Sequence, residues 1–150
     1  MATITIETAI AAPRERCFDL SRDLDLHVRT MARTGERAIG GRTSGLIDEG
    51  EEVTWQGRHF GLVLRHTSRI TRFERPRHFR DSMTRGQFAK FEHDHYYDPI
   101  ESGTLMRDVV DFESPFGLVG RLVDRLFLTG YLERLLTARA LAIKGEAERS

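Results

Sequence analysis

Two periodicities divide the chain. Up to about residue 113 apolar residues tend to return at every second position, and after Pro115 they return every three or four. A period of two marks strands with one buried face, and a period near 3.6 marks amphipathic helices. Residues 3–8 alternate Thr, Ile, Thr, Ile, Glu, Thr and predict a short strand. Residues 51–57 place Val53 and Trp55 opposite Glu52, Thr54 and Gln56. Residues 59–73 read as one long strand with Phe60, Leu62, Leu64, His66, Ser68 and Ile70 on one face. Pro76 marks a turn, residues 79–85 predict another strand, and Gly86 ends it. Residues 88–98 set a charged, solvated face of Lys90, Glu92 and Asp94 against Ala89, Phe91, His93, His95 and Tyr97. A turn over 99–103 leads to a last strand, 104–113, with Met106, Asp108, Val110 and Phe112 together. A hairpin about that turn pairs Tyr97 near Thr104 and brings His93 close to Asp108.

The helical signals are fewer. Pro13 suits a first helical position and puts Cys17, Phe18 and Leu20 on one side of a short helix. Ser21 is placed to cap a second short helix, with Asp23 and Asp25 in its first turn and Leu24, Val28 and Met31 as its buried stripe. Glycines at 35, 40, 41, 45, 50 and 57 predict short strands broken by turns. Beyond Pro115, Leu118, Leu122, Leu126, Leu132, Leu136 and Ala140 form the stripe of one long helix, roughly 118–147, disturbed at Gly130.

Strand, two short helices, about six successive strands and one long helix is an α+β order, with antiparallel pairing and a single domain over 1–150. The long helix must bury its stripe, and a curved sheet is the one large partner available. The bulk properties fit this picture: 39% hydrophobic and 31% charged residues describe a globular chain rather than a disordered one. Lys plus Arg and Asp plus Glu both number 23, so there is no global basic field for nucleic acid. The arginines between Arg65 and Arg85 read as a solvated outer sheet face, with an anionic membrane or nucleic-acid surface as the alternative. The single cysteine, Cys17, forbids an internal disulfide and reads as a small buried hydrophobe. No signal peptide or membrane span is evident, so a cytoplasmic protein without integral membrane association is expected. Oligomeric state is not encoded in these patterns.

The order of short motifs resembles the START-like superfamily, the polyketide cyclase/dehydrase and lipid-transport group with the helix-grip fold of the birch-pollen allergen. The matching stretches are Ala12-Pro13 with Phe18-Asp19, Arg69-Ile70-Thr71 followed by Phe73-Glu74-Arg75-Pro76, and Phe79-Arg80-Asp81. Then come Gly86-Gln87-Phe88, Phe91, His93, His95, Gly103-Thr104-Leu105-Met106, Asp108, and Gly117-Leu118-Val119-Gly120-Arg121-Leu122. The resemblance implies a seven-stranded sheet gripping the long helix, with a cavity between them for lipids, polyketides or other apolar molecules. It fixes no reaction.

The residues that could carry chemistry follow from alternation. His93, His95 and Asp108 share the inward face, where a histidine beside a carboxylate can act as acid or base or bind a ligand's polar atoms. The same groups could simply satisfy one another around buried water. His66 lies on its own inward face, and three histidines can hold zinc, but no other spacing supports a metal and no cofactor is called for. Trp55, Leu64, Phe91, Met106, Leu122 and Leu126 are the expected cavity walls, with His66, His93, His95 and Asp108 as polar contacts. The expected function is binding or carriage of a small hydrophobic or amphipathic ligand. The alternative is a cyclase/dehydrase-type enzyme using His93 or His95 with Asp108.

Overall fold

The computed structural model describes residues 1–149. Strand β1 (Ala2–Ile10) is followed by helices α1 (Arg14–Ser21) and α2 (Leu24–Thr30). Six strands follow: β2 (Arg37–Gly41), β3 (Glu52–His59), β4 (Leu62–Glu74), β5 (His78–Arg85), β6 (Lys90–Ile100) and β7 (Gly103–Glu113). All seven strands form one antiparallel sheet in the order β1-β7-β6-β5-β4-β3-β2. The chain ends in a helix running from Gly117 to Ala147: α3 (Gly117–Val123), a wider π-type stretch (Asp124–Leu128), and α4 (Thr129–Ala147).

Strand identity follows the alternation closely. Along β7 every second residue, Thr104, Met106, Asp108, Val110 and Phe112, is buried. The predicted strand over 59–73 is in fact two strands. β3 ends at His59, Phe60 adopts a left-handed φ of 53° and Gly61 one of 76°, and β4 starts at Leu62. Two adjacent positive φ values make the tight hairpin turn that an unbroken alternating run conceals. Ser21 is not a cap. It ends α1, its hydroxyl donating to Cys17 O, and Asp23 caps α2 by accepting from the Asp25 and Leu26 amides. Asp94 is not solvated; it is 4% exposed because Arg80 and His78 cover it from β5.

The main core lies at the C-terminal end of α4. Ala140, Ile143 and Ala147 pack with Ile10, Cys17, Phe18, Phe79 and Met106. The alanines let the helix approach the sheet and α1 closely, and Phe18 meets Phe73, Phe79 and Tyr97 edge-on at 5.1–5.4 Å. The N-terminal half of α4 carries larger residues, Leu132 and Leu136, which with Leu128 just before it rest on Ile4, Val110 and Phe112. Close approach at one end and wider separation at the other leave space between helix and sheet.

The start of the long helix departs from expectation. Phe116 is left-handed, and Gly120 sits directly on the Ser114 and Pro115 carbonyls, where a Cβ would collide. Asp124, one turn on, accepts from the Ser114 amide and hydroxyl. These two residues form the seam that faces the protein. Positions two away from a seam residue lie about 200° around a helix. Leu118, Leu122 and Leu126 therefore face outward, and the disturbance falls at 124–128 rather than at Gly130.

Candidate functional site

The space between the sheet and the N-terminal half of α4 is a cavity of about 340 Å³. That volume lies within the range of small-molecule sites. Its apolar wall includes Val53, Trp55, Leu64, Ile70, Phe91 and, from the helix, Leu128, Leu132 and Leu136. Of the walls expected from sequence, Trp55, Leu64, His66 and Phe91 line this space together with His93 and His95. Leu122 and Leu126 do not. They are 56% and 61% exposed, for the reason of helix phase given above. Met106 is fully buried in the core rather than on the cavity wall. Asp108 lies behind the two histidines, 2% exposed.

One end of the cavity is polar. The β6–β7 hairpin turns over Glu101 and Ser102, so its register puts Tyr97 opposite Met106 and His95 opposite Asp108. The expected pairing was two residues out. β6 runs on through Pro99 to Ile100, which the proline tolerates because β5 pairs with β6 only as far as Tyr96. Asp108 nevertheless reaches both histidines. His93 Nε2 lies 2.9 Å from Asp108 Oδ1, and His95 Nδ1 lies 3.3 Å from the same oxygen, too poorly directed for a hydrogen bond. His95 Nε2 bonds Asp81 Oδ2 at 2.7 Å. The imidazoles stack with centroids 3.7 Å apart, and Phe79 covers the far face of His95 at 4.0 Å. Arg139, from α4, donates to Ser21 O at 2.7 Å and stands 3.9 Å from Asp108 Oδ1.

The two histidines have opposite tendencies. For His93, burial and the neighbouring His95 outweigh its bond to Asp108 and hold its pKa below the ordinary value. For His95, burial also opposes protonation, but contact with both Asp108 and Asp81 prevails and the pKa rises. Asp81 is held at about 2: burial works against its charge, and the His95 bond and the nearby cations overcome it. Asp108 is likewise driven far below the carboxylate range by His93 and His95 despite its burial. The arrangement stacks a histidine that resists protonation, His93, on one that favours it, His95, with two carboxylates and a guanidinium around them.

Asp81, Arg139 and His27 escaped sequence reasoning. Asp81 had a signal, since it shares the inward face of β5 with Phe79. Arg139 had none, because one arginine on an amphipathic helix looks like its solvated side. His27 also lines the cavity, stacked on Trp55 at 4.1 Å. Burial pushes its pKa to about 3, and its buried Nε2 has no hydrogen-bond partner, the nearest carboxylate oxygen being that of Glu36 at 4.0 Å. His66 stands on the neighbouring wall with its ring 5.2 Å from Phe91. One donor atom each from Asp81, His93 and His95 lie within 4.8 Å of one another, a spacing that admits a cation. Arg139 stands 3.9 Å from Asp108 and already brings positive charge to the group from within the chain.

No protein-family model matches the chain, and no curated protein matches it. Solved structures do. The ZhuI aromatase/cyclase from Streptomyces sp. R1128 superposes with a TM-score of 0.79 at 16% identity, covering 99% of this chain and 94% of that one. A protein from Thermus thermophilus gives 0.74 at 17% identity over 98% and 100% of the two chains. Ginseng major latex-like protein 151 from Panax ginseng gives 0.71 at 15% identity over 99% and 98%. With its seven-stranded antiparallel sheet, its two short helices after β1 and its long C-terminal helix, the chain has the helix-grip fold that these structures share.

Proposed function

We propose that the chain is a cytoplasmic carrier or sensor, one ligand-binding domain that encloses a small amphipathic molecule between sheet and helix. The observation that carries this reading is a cavity with largely apolar walls and a buried polar cluster of His93, His95, Asp81 and Arg139. Burial against Trp55, Leu64, Phe91 and Leu132 supplies affinity. His27, His93, His95 and Arg139 orient a polar head, an anionic or carbonyl oxygen by the balance of donors. Similarity to a major latex-like protein is in keeping with this reading. Native mass spectrometry of the purified chain is expected to find a bound molecule of a few hundred daltons, and the emptied protein should take up an apolar fluorescent probe. An empty cavity that takes up no probe under any condition would sink the proposal.

A second reading rests on the divergence of His93 and His95. Two titratable groups pushed apart in pKa are suited to act as a base and an acid at one pH. Similarity to an aromatase/cyclase favours it. Neutral His93 would take a proton from carbon next to a carbonyl, and cationic His95 would stabilise the oxygen on which charge develops. A small β-dicarbonyl compound should then exchange its C–H for deuterium. The rate should rise with pH through the lowered pKa of His93 and fall as His95 deprotonates above about 6.5. His93→Gln should slow exchange at least about a hundredfold with binding nearly unchanged. Equal exchange in that variant rules out His93 as the base.

A further inference from the structure

The outward-facing stretch at the start of the long helix is the largest feature that the cavity does not explain. Phe116, Leu118, Val119, Leu122, Leu126 and Phe127 are between 56% and 84% exposed. Ordinary monomers do not expose apolar runs of this size without a partner. A second apolar projection comes from the β3–β4 turn, where Phe60, Leu62 and Val63 are also more than half exposed. The two are neighbours. Phe60 packs its ring 4.6 Å from that of Tyr131, which follows Phe127 by one helical turn, and Phe60, Leu128 and Tyr131 all line the cavity. Two apolar projections thus border one rim of the binding space.

The charges around them are mainly positive, with Arg69 paired to Glu52 at 2.7 Å and Glu133 exposed just beyond Tyr131. Residues 53–73 contain no Asp or Glu and carry Arg58, Arg65, Arg69 and Arg72. Between residues 114 and 132 the cations are Arg121 and Arg125, both exposed, and the one acid is Asp124. Asp124 is buried and committed to Ser114, so it offers the surface no negative charge. Apolar side chains with interspersed arginines, and a single exposed acid, Glu133, beyond their margin, complement an anionic lipid surface, where the rings and leucines enter the acyl boundary and the guanidiniums meet phosphates. A second copy of the chain is a poorer fit, since a two-fold contact through this face would gather Arg121 and Arg125 of both copies into one interface. Among the described residues no helix is long and apolar enough to cross a membrane, so contact would be with the surface.

We propose that residues 116–127, with the β3–β4 turn, dock the protein on anionic membranes and set the rim of its cavity against the lipid. The inference does not depend on the identity of the cavity's ligand. It is tested by flotation of the full chain with vesicles of phosphatidylcholine alone or with about a third phosphatidylglycerol. Wild type should float with the anionic vesicles and at least roughly tenfold less with neutral ones, and about 0.5 M salt should release most of it. The Leu122→Asp/Phe127→Asp and Arg121→Glu/Arg125→Glu variants change exposed residues, so both should keep the wild-type circular dichroism and melting temperature. Each should lose flotation at least about tenfold. No flotation of wild type, equal flotation on neutral vesicles, or unchanged flotation of the folded aspartate variant each overturns the proposal. So does a wild-type dimer in sedimentation that Leu122→Asp/Phe127→Asp dissolves while vesicle binding is absent.

Discussion

Asp108→Ala is expected to cost about 3 kcal/mol of folding stability or more, lowering the melting temperature by about 10 °C. Asp108 is 2% exposed and central: His93 bonds it, His95 lies 3.3 Å away and Arg139 3.9 Å. Removing the carboxylate takes away the hydrogen-bond partner of His93 and one of the two carboxylates that favour a charged His95, and it weakens the reason for Arg139 to point inward. The cost of an uncompensated buried charge exceeds the value of the pair itself, so truncation hurts more than any count of bonds suggests. Asp108→Asn keeps the volume and one acceptor oxygen but loses the charge, and should fall between the two.

The pH dependence of that loss separates electrostatics from packing. Asp108 has a depressed folded pKa, so its contribution is complete above the unfolded value of about 3.9 and fades only as pH falls through the much lower folded value. His95 has a raised folded pKa, so its contribution is complete below the unfolded value of about 6.5 and fades as pH rises through the folded one. Wild type and Asp108→Ala should therefore differ most between about pH 4 and 6.5, and the gap should narrow in alkali as His95 turns neutral. Urea titrations at about pH 5.5 and about pH 9 measure it. A gap of equal size at both would mean that the cost is a packing void, with no ion pair behind it.

How far the sequence led depended on what each pattern encodes. Alternation depends only on which face of a pleat a residue takes, so it placed His93, His95 and Asp108 on one face despite a hairpin register two residues out. A shift of two preserves the face, where a shift of one would have reversed it. It could not reveal the turn at Phe60 and Gly61, because a two-residue turn leaves an alternating run looking continuous. The helical stripe of Leu118, Leu122 and Leu126 was equally plain, but periodicity identifies an apolar face without saying what lies opposite it. That was decided by Gly120 and Asp124, whose small size and short polar side chain let the other side of the helix lie against Ser114 and Pro115. Asp81, Arg139 and His27 come from three separate elements, and only the packing of α2, β5 and α4 brings them to the cavity.

Leu64→Asp is the variant with the largest expected effect on binding, at least about a hundredfold in the dissociation constant of an apolar probe. Leu64 faces the cavity from β4, with Gly57 opposite it on β3. A carboxylate there must either stay charged against an apolar ligand or take up a proton, and both alternatives penalise the bound state. The residue lies outside the packed core clusters of Ile10, Phe18 and Met106 and of Ile4, Val110 and Phe112, so the empty variant should fold. Leu64→Met, which keeps volume and apolarity, should bind within about threefold of wild type and fixes the baseline. The ratio of the two variants isolates the charge at the wall from any change of shape. If Leu64→Asp is folded and binds the probe as well as Leu64→Met, the probe sits elsewhere and the apolar wall is not the binding surface. If it loses binding while Asp108→Asn, measured below its own melting point, keeps the apolar probe and loses only ligands with a polar head, the wall supplies affinity and the buried network supplies orientation. That division of labour follows from a cavity whose apolar wall and whose His93, His95 and Asp81 cluster are separate parts of its lining.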